Sequence, residues 1–356
     1  MNKVITIHYL RGIASLLVVA YHNKTSGYEV LGNHNIFEYL FKGGAFGVDL
    51  FFIISGFIIA FSTQENKEHN LLNFTIKRIF RIYPIFLVAI TLYILVHPAY
   101  TFYEILRSYI FINRDYDKAA PYFGYNVLFP AWSLSYEVYF YIVFCMAMSI
   151  SHQKRILITS AVLIIPALIL QLYYNNGISF NGSMRLQNSD FAFLNFFASP
   201  MLYEFIVGMM FFYLVRLFDN VKHYKYICFL LFFSFLFCYL TTFNYTVGLS
   251  GFGTWSILLI AAGLMLERNH VIGKNKILSF FGDISYSLYL VHAIVMQVLI
   301  KYHVYVPFYN KNSLSKFLVI MISSILFAWV LHEIVEKPML RAGRTALINI
   351  IKFRKK

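Results

Sequence analysis

Gly47-Val48-Asp49-Leu50-Phe51-Phe52-Ile53-Ile54-Ser55-Gly56-Phe57-Ile58-Ile59-Ala60 contains a single ionisable side chain, Asp49. A helix built from this run is apolar on every face, unlike the one-sided stripe of a soluble surface helix. The apolar character extends over about 44–62, close to the roughly 20 residues that a helix needs to cross a bilayer. Nine further segments read the same way, near 4–22, 82–98, 126–150, 156–174, 200–217, 226–243, 250–266, 280–300 and 314–334. The expected fold is all-α: a polytopic membrane protein of about ten transmembrane helices. One membrane domain is expected over 1–340, with a basic tail at 341–356.

Composition excludes the alternatives. Of 356 residues, 59% are hydrophobic and 13% charged, about half the usual charged fraction, and mean hydropathy is +0.64. A soluble surface cannot be built from so few charges, and a disordered chain needs the opposite balance. The longest non-apolar stretches, near 99–125 and 175–199, are too short for a soluble domain. Cys145, Cys228 and Cys238 stand in apolar runs without CxxC spacing, which argues against a disulfide or metal framework. Arg11 interrupts the first apolar segment, which therefore does not read as a signal peptide.

The net charge of +14 comes from 30 Lys and Arg against 16 Asp and Glu. With the N-terminus in the cytoplasm, 21 of those 30 cations fall inside. They are Lys3, Arg11, Lys67, Lys77, Arg78, Arg81, Lys154, Arg155, Arg216, Lys222, Lys225, Arg268, Lys274, Lys276, Lys337, Arg341, Arg344, Lys352, Arg354, Lys355 and Lys356. Lys24, Lys42, Arg107, Arg114, Lys118, Arg185, Lys301, Lys311 and Lys316 fall outside. This is the positive-inside pattern; it predicts cytoplasmic N- and C-termini and requires no nucleic-acid partner.

Ionisable groups within spans are expensive and draw attention to function. Arg11 and His22 lie eleven residues apart, about 20° around a helix and about 16 Å along it. They share one face, with Arg11 toward the cytoplasm and His22 toward the outer surface. Arg78 and Arg81, in Lys-Arg-Ile-Phe-Arg-Ile-Tyr-Pro at 77–84, also share a face and suit an anionic cytosolic ligand. In the fourth span, Ser133, Tyr136, Glu137, Phe140 and Tyr141 are expected on one face, with Glu137 near the depth of His22. Ser285, Tyr289 and His292 form a polar stripe read chiefly as an interhelical hydrogen-bond ladder. Pro338 is expected to stop the last helix, with Glu336 and Lys337 marking the membrane exit.

Taken together, these stretches resemble the membrane-bound acyltransferase family 3, the O-acyltransferases that modify bacterial surface glycans. The resemblance runs from the first span to the last. It rests on Arg-x10-His (Arg11, His22), on Gly-Val-Asp-Leu-Phe-Phe-Ile-Ile-Ser-Gly-Phe at 47–57, and on Arg-x-x-Arg-Ile-Tyr-Pro at 78–84. Trp-Ser-Leu-Ser-x-Glu at 132–137 and Ser-Tyr-Ser-Leu-Tyr-Leu-x-His at 285–292 complete it. One departure is Tyr136, where members often carry Val followed by two Glu; here only Glu137 is present. Many members add a further span and an extracellular hydrolase-like domain, so this chain resembles the stand-alone ones.

The resemblance implies a multi-pass protein of the bacterial plasma membrane. The donor would be cytosolic acyl-CoA, acetyl-CoA first among candidates, used as a substrate with no permanently bound cofactor and no metal. The acceptor would be a hydroxyl of a surface or lipid-linked glycan such as O-antigen, capsule or exopolysaccharide. Arg11, His22 and Glu137 would be catalytic; Arg78, Arg81, Tyr83, Ser135, Tyr289 and His292 would bind the donor. His22, with an ordinary imidazole near neutrality, would act as general base, oriented by Glu137 in the manner of a triad acid. A transient acyl-histidine is the alternative route. The competing class is a transporter or flippase that moves a glycan intermediate or small anion without covalent chemistry.

Overall fold

The computed structural model describes residues 4–27, 36–65, 70–307, 309 and 314–354. Lys3, Lys67, Lys311, Lys355 and Lys356, five of the cations sorted above, lie outside the described residues. The helices run in the order α1 (Ile5–His22), α2 (Ile36–Phe41), α3 (Gly47–Ser62), α4 (Asn70–Val96), α5 (Phe102–Tyr109), α6 (Trp132–Ile150) and α7 (Arg155–Asn175). They continue with α8 (Leu194–Phe197), α9 (Met201–Leu214), α10 (Tyr224–Thr241), α11 (Phe252–Asn269), α12 (Lys276–Lys301), α13 (Leu314–Leu331) and α14 (Lys337–Arg354). No strand occurs among the described residues. Each of the ten apolar segments is helical. Eight stretches are long and apolar enough to cross a membrane, counted among the described residues. The fold is an all-α, polytopic membrane protein.

The centre is built from α1, α3 and α12, while α7 and α10 present Ile169, Tyr173, Tyr226 and Phe229 outward. Large apolar residues exposed on peripheral helices are the expected surface of a protein solvated by lipid. α3 and α9 approach backbone to backbone. A Cβ on Gly208 would strike the Ile53 carbonyl, and one on Gly56 the Phe205 carbonyl, so glycine is what permits this crossing. At the far end of the same interface, Asp49 and Glu204 are fully buried within electrostatic reach of each other, with the Gly248 amide donating to Asp49 Oδ1 at 2.7 Å.

The first helix is capped from a distance. Glu267 of α11 accepts from the amides of Ile5 and Thr6, each at 2.8 Å, satisfying donors that a helix start leaves open. The carboxylate also complements the positive end of the α1 dipole.

Two expectations change. α4 begins at Asn70 rather than near 82 and continues through Pro84, so Arg78 and Arg81 stand within the helix. Pro338 does not stop the last helix. A π turn over His332–Glu336 joins α13 to α14, and Pro338 is the second residue of α14. A missing amide costs little there because the widened turn has already broken the α-helical bond register. The tail at 341–356 is helical through Arg354, and Gly343 packs on Phe80 of α4.

Candidate active site

Arg11, Arg78 and Arg81 line one narrow cavity of about 60 Å³ between α1, α3, α4, α6 and α12. α1 contributes Arg11 from a turn that packs its Gly12 against Gly282 of α12. α4 supplies the other two from adjacent turns. Arg78 lies beside the edge-to-face pair of Phe74 and Tyr141, 5.4 and 5.3 Å from their centroids, and donates to Ser62 Oγ at 3.4 Å. Such aromatic flanking holds a guanidinium without consuming its charge.

Glu137 lines the same cavity. Its Oε1 accepts from Ser55 Oγ at 3.0 Å and from the Tyr141 hydroxyl. The expected pairing with His22 is not what the fold makes. Glu137 faces the arginines, and its hydrogen bonds come from α3 and from one turn along its own helix. Within α6, Ser133, Glu137 and Tyr141 form the cavity face. Tyr136 and Phe140 turn away to stack on Phe196 and Phe205, because an i, i+4, i+8 row is narrower than the five-residue face read from the sequence.

His22 belongs to a second cavity of about 380 Å³, toward the C-terminal end of α1 and lined also by Tyr21, Tyr122, Tyr125 and Trp132. Val48 and Tyr289 line both cavities, so they form the wall between them. The Tyr289 hydroxyl donates to the Pro130 carbonyl at 2.9 Å and contacts Ser133 Oγ at 2.8 Å. His22 Nδ1 lies 2.9 Å from the Val18 carbonyl. A carbonyl only accepts, so Nδ1 carries the proton and Nε2 keeps a free lone pair. The orienting partner of the imidazole is thus the backbone one turn below.

The remaining residues divide. Ser135 donates to Asn113 Oδ1 at 3.1 Å, which places its hydroxyl in a buried loop contact away from the arginines. Tyr83 packs edge-on against Phe111, centroids 5.1 Å apart, and lines a lipid-side groove that also reaches Arg78 and Tyr141. His292 lies beside His22, ring centroids 5.1 Å apart. The ladder expected on α12 is only partly interhelical. Ser285 bonds back to Gly282 and His292 to Leu288, leaving Tyr289 as the member of the three that bonds another helix. In the segment before α6, Tyr122 and Tyr125 face the cavity that holds His22, while Tyr116 and Phe123 pack on Phe196.

Glu336, expected at the membrane exit, is buried. It accepts from Ser287 Oγ at 2.6 Å and pairs with His332 Nδ1 at 2.9 Å, within electrostatic reach of Arg11. The Ser287–Glu336 spacing of 49 residues carries no local signal. Among the described residues, no group of three or more His, Cys, Asp or Glu side chains is arranged to hold a metal ion.

Comparison with known proteins agrees with this architecture. The domain model of the acyltransferase family matches residues 4–333. The exopolysaccharide production protein ExoZ of Rhizobium meliloti (strain 1021) is 25% identical over 326 residues, covering 87% of this chain and 93% of that protein. The protein named "Putative acetyltransferase ORF330" of Acidianus two-tailed virus is 29% identical over 178 residues, 48% of this chain and 49% of that one. No solved structure matches the chain. With the family matched over nearly its whole length and its polar residues gathered in the helical core, the chain belongs to the acyltransferase family and is a membrane-embedded O-acyltransferase.

Proposed function

We propose that the protein transfers an acyl group, acetyl in the first instance, from cytosolic acyl-CoA to a hydroxyl of an extracytoplasmic polysaccharide at the bacterial plasma membrane. The observation that carries this reading is the stacking of two cavities on one shared wall, with three guanidiniums lining the inner and a histidine with a free Nε2 lining the outer. Polyanionic coenzyme and sugar are both excluded from hydrocarbon, so a transfer across the bilayer needs a lined route of this kind. The name of the Rhizobium relative supports a polysaccharide acceptor.

In this mechanism the coenzyme phosphates rest on Arg11, Arg78 and Arg81, as guanidinium forks suit phosphates. Glu137 holds the partial counter-charge that keeps three clustered cations tolerable in a low-dielectric site. The thioester arm passes the Val48–Tyr289 wall toward His22. His22 Nε2 removes the acceptor hydroxyl proton while the oxygen bonds to the thioester carbon. Collapse of the tetrahedral intermediate breaks the carbon–sulfur bond, and the proton passes from Nε2 to the departing thiolate. The Tyr289 hydroxyl, at the junction, can exchange its Pro130 bond for one to the developing oxyanion. Tyr122, Tyr125 and Trp132 offer aromatic faces to the sugar.

The test uses purified protein in vesicles with labelled acetyl-CoA and exopolysaccharide. Coenzyme A release that requires acceptor is expected, and His22→Ala should lower it by about 10²–10⁴-fold, the usual range for a lost general base. Arg78→Ala with Arg81→Ala should chiefly raise the donor KM. Wild-type turnover by His22→Ala sinks the mechanism, and glycan flux without coenzyme release identifies a transporter.

A further inference from the structure

The cavity that holds His22 is mostly aromatic, but one corner is aliphatic, formed by Val18, Ala45 and Val48. Val18 belongs to α1, Ala45 to the turn at Lys42–Phe46 that enters α3, and Val48 to α3 itself. These segments meet backbone to backbone. A Cβ on Gly44 would strike the Leu17 carbonyl, and one on Gly47 would lie 2.8 Å from both the Ala14 carbonyl oxygen and Val18 Cγ2. Widening the corner would separate backbones whose close packing is what joins membrane helices. A helical valine also keeps one strongly preferred rotamer, so neither valine turns aside cheaply. Val18 is 1% exposed, which makes the corner shallow. It adjoins the groups that act in the scheme above. The Val18 carbonyl holds His22 Nδ1 at 2.9 Å, and Val48 shares the wall between the two cavities with Tyr289. Phe51, one turn along α3 from Val48, packs edge-on against Tyr289, ring centroids 5.6 Å apart. Among the described residues, no Asp, Glu, Lys or Arg lines this cavity.

We propose that Val18, Ala45 and Val48 form the pocket for the transferred acyl group and restrict it to a short, unbranched, uncharged chain. The aromatic side chains Tyr122, Tyr125 and Trp132 take the acceptor, which leaves the aliphatic corner to the acyl chain of the donor. An acetyl methyl rests against the two valines, and each further methylene must push on them. One methylene too many in an apolar pocket costs about 10–200-fold in kcat/KM. A branch on the acyl chain meets the same two side chains. A carboxylate, as on a succinyl group, would enter with no lining cation to pair it. The bonds made and broken are those already given: acceptor oxygen to acyl carbon is formed, acyl carbon to sulfur is broken, and the hydroxyl proton ends on the thiolate.

The inference rests on the acyl-transfer reading, and one panel of donors separates the two. Purified protein in vesicles is given exopolysaccharide with acetyl-, propionyl-, butyryl-, isobutyryl- or succinyl-CoA, and kcat/KM is read from acceptor-dependent coenzyme A release. The wild type is expected to use acetyl-CoA at least tenfold better than the butyryl, isobutyryl or succinyl donor. Val48→Ala and Val18→Ala should each raise the butyryl-to-acetyl ratio at least tenfold, and Val48→Ile should lower the propionyl-to-acetyl ratio. Each ratio is taken within one preparation, so a variant that folds only in part still reports it. Val18 lines the His22 cavity and not the arginine cavity, which tells a pocket from a passage. A ratio moved by Val48→Ala but not by Val18→Ala would place selection at the wall between the cavities and overturn the proposal. Equal use of acetyl and butyryl donors by the wild type, or succinyl transfer as efficient as acetyl, overturns it while leaving the acyl-transfer reading intact. No acceptor-dependent release with any donor overturns that reading and the pocket with it.

Discussion

Glu336 stands two residues before a proline at the foot of a membrane helix, where a carboxylate ordinarily meets water. The π turn carries it inward instead, to Ser287 and His332 beneath the arginine cavity. Removing one partner of a buried charged network costs about 3–5 kcal/mol. Glu336→Ala is therefore expected to lower the melting temperature in detergent markedly, while Glu336→Gln, which can still accept from Ser287, should lose less than half as much. An unchanged melting temperature in Glu336→Ala would mean that the network is dispensable. Both ends of the Arg11–His22 pair were legible because helical periodicity alone puts them on one face. The partner of each carboxylate was not. Glu137 has several polar neighbours within a helix turn or two, and only the crossing of α3 with α6 selects Ser55 rather than His22.

At the scale of elements, α3 and α9 illustrate how little of a membrane crossing is written in one segment. Gly56 and Gly208 each look like a tolerated small residue, and together they let two backbones touch. Hydrophobic burial does not drive helices together in lipid, so close packing must. Gly208→Leu should separate α3 from α9, at a cost of about 1–3 kcal/mol or more for overpacking. It should broaden the size-exclusion profile in detergent. Gly273→Ala, in a loop with nothing within 4 Å of the added carbon, should leave the profile unchanged. The same element view explains the shifted start of α4. Hydropathy marks where apolar residues begin, whereas the helix starts at Asn70 and carries its arginines in on an established backbone. The Pro338 reading failed for a related reason: a proline ends a helix only where the hydrogen-bond register is intact, and the π turn had already altered it.

Over the whole molecule, charge sets orientation. The loop between α7 and α8 should be extracytoplasmic, and the loops flanking α10 and α11 on the Lys222 and Gly273 side should be cytoplasmic. Single cysteines at exposed Asn188, Lys222 and Gly273, placed in a chain lacking Cys145, Cys228 and Cys238, provide the check. A membrane-impermeant maleimide on intact cells should label Asn188→Cys and leave the other two until the membrane is opened. The reverse labelling would invert the donor and acceptor sides assigned to the two cavities.

Composition and periodicity by themselves determined that the chain is a bundle of membrane helices, which segments are helical, and that Arg11, Arg78 and Arg81 are cations set among apolar residues. These properties are local: each follows from the residues within a few turns and from the cost of exposing backbone or charge to hydrocarbon. The tertiary structure decided what the polar residues do to one another. It divided them between two cavities, put His292 rather than Glu137 beside His22, and drew Glu336 in from the membrane edge. Those pairings join residues tens to hundreds of positions apart through helix crossings a few ångströms wide, and a one-dimensional pattern holds no measure of that distance.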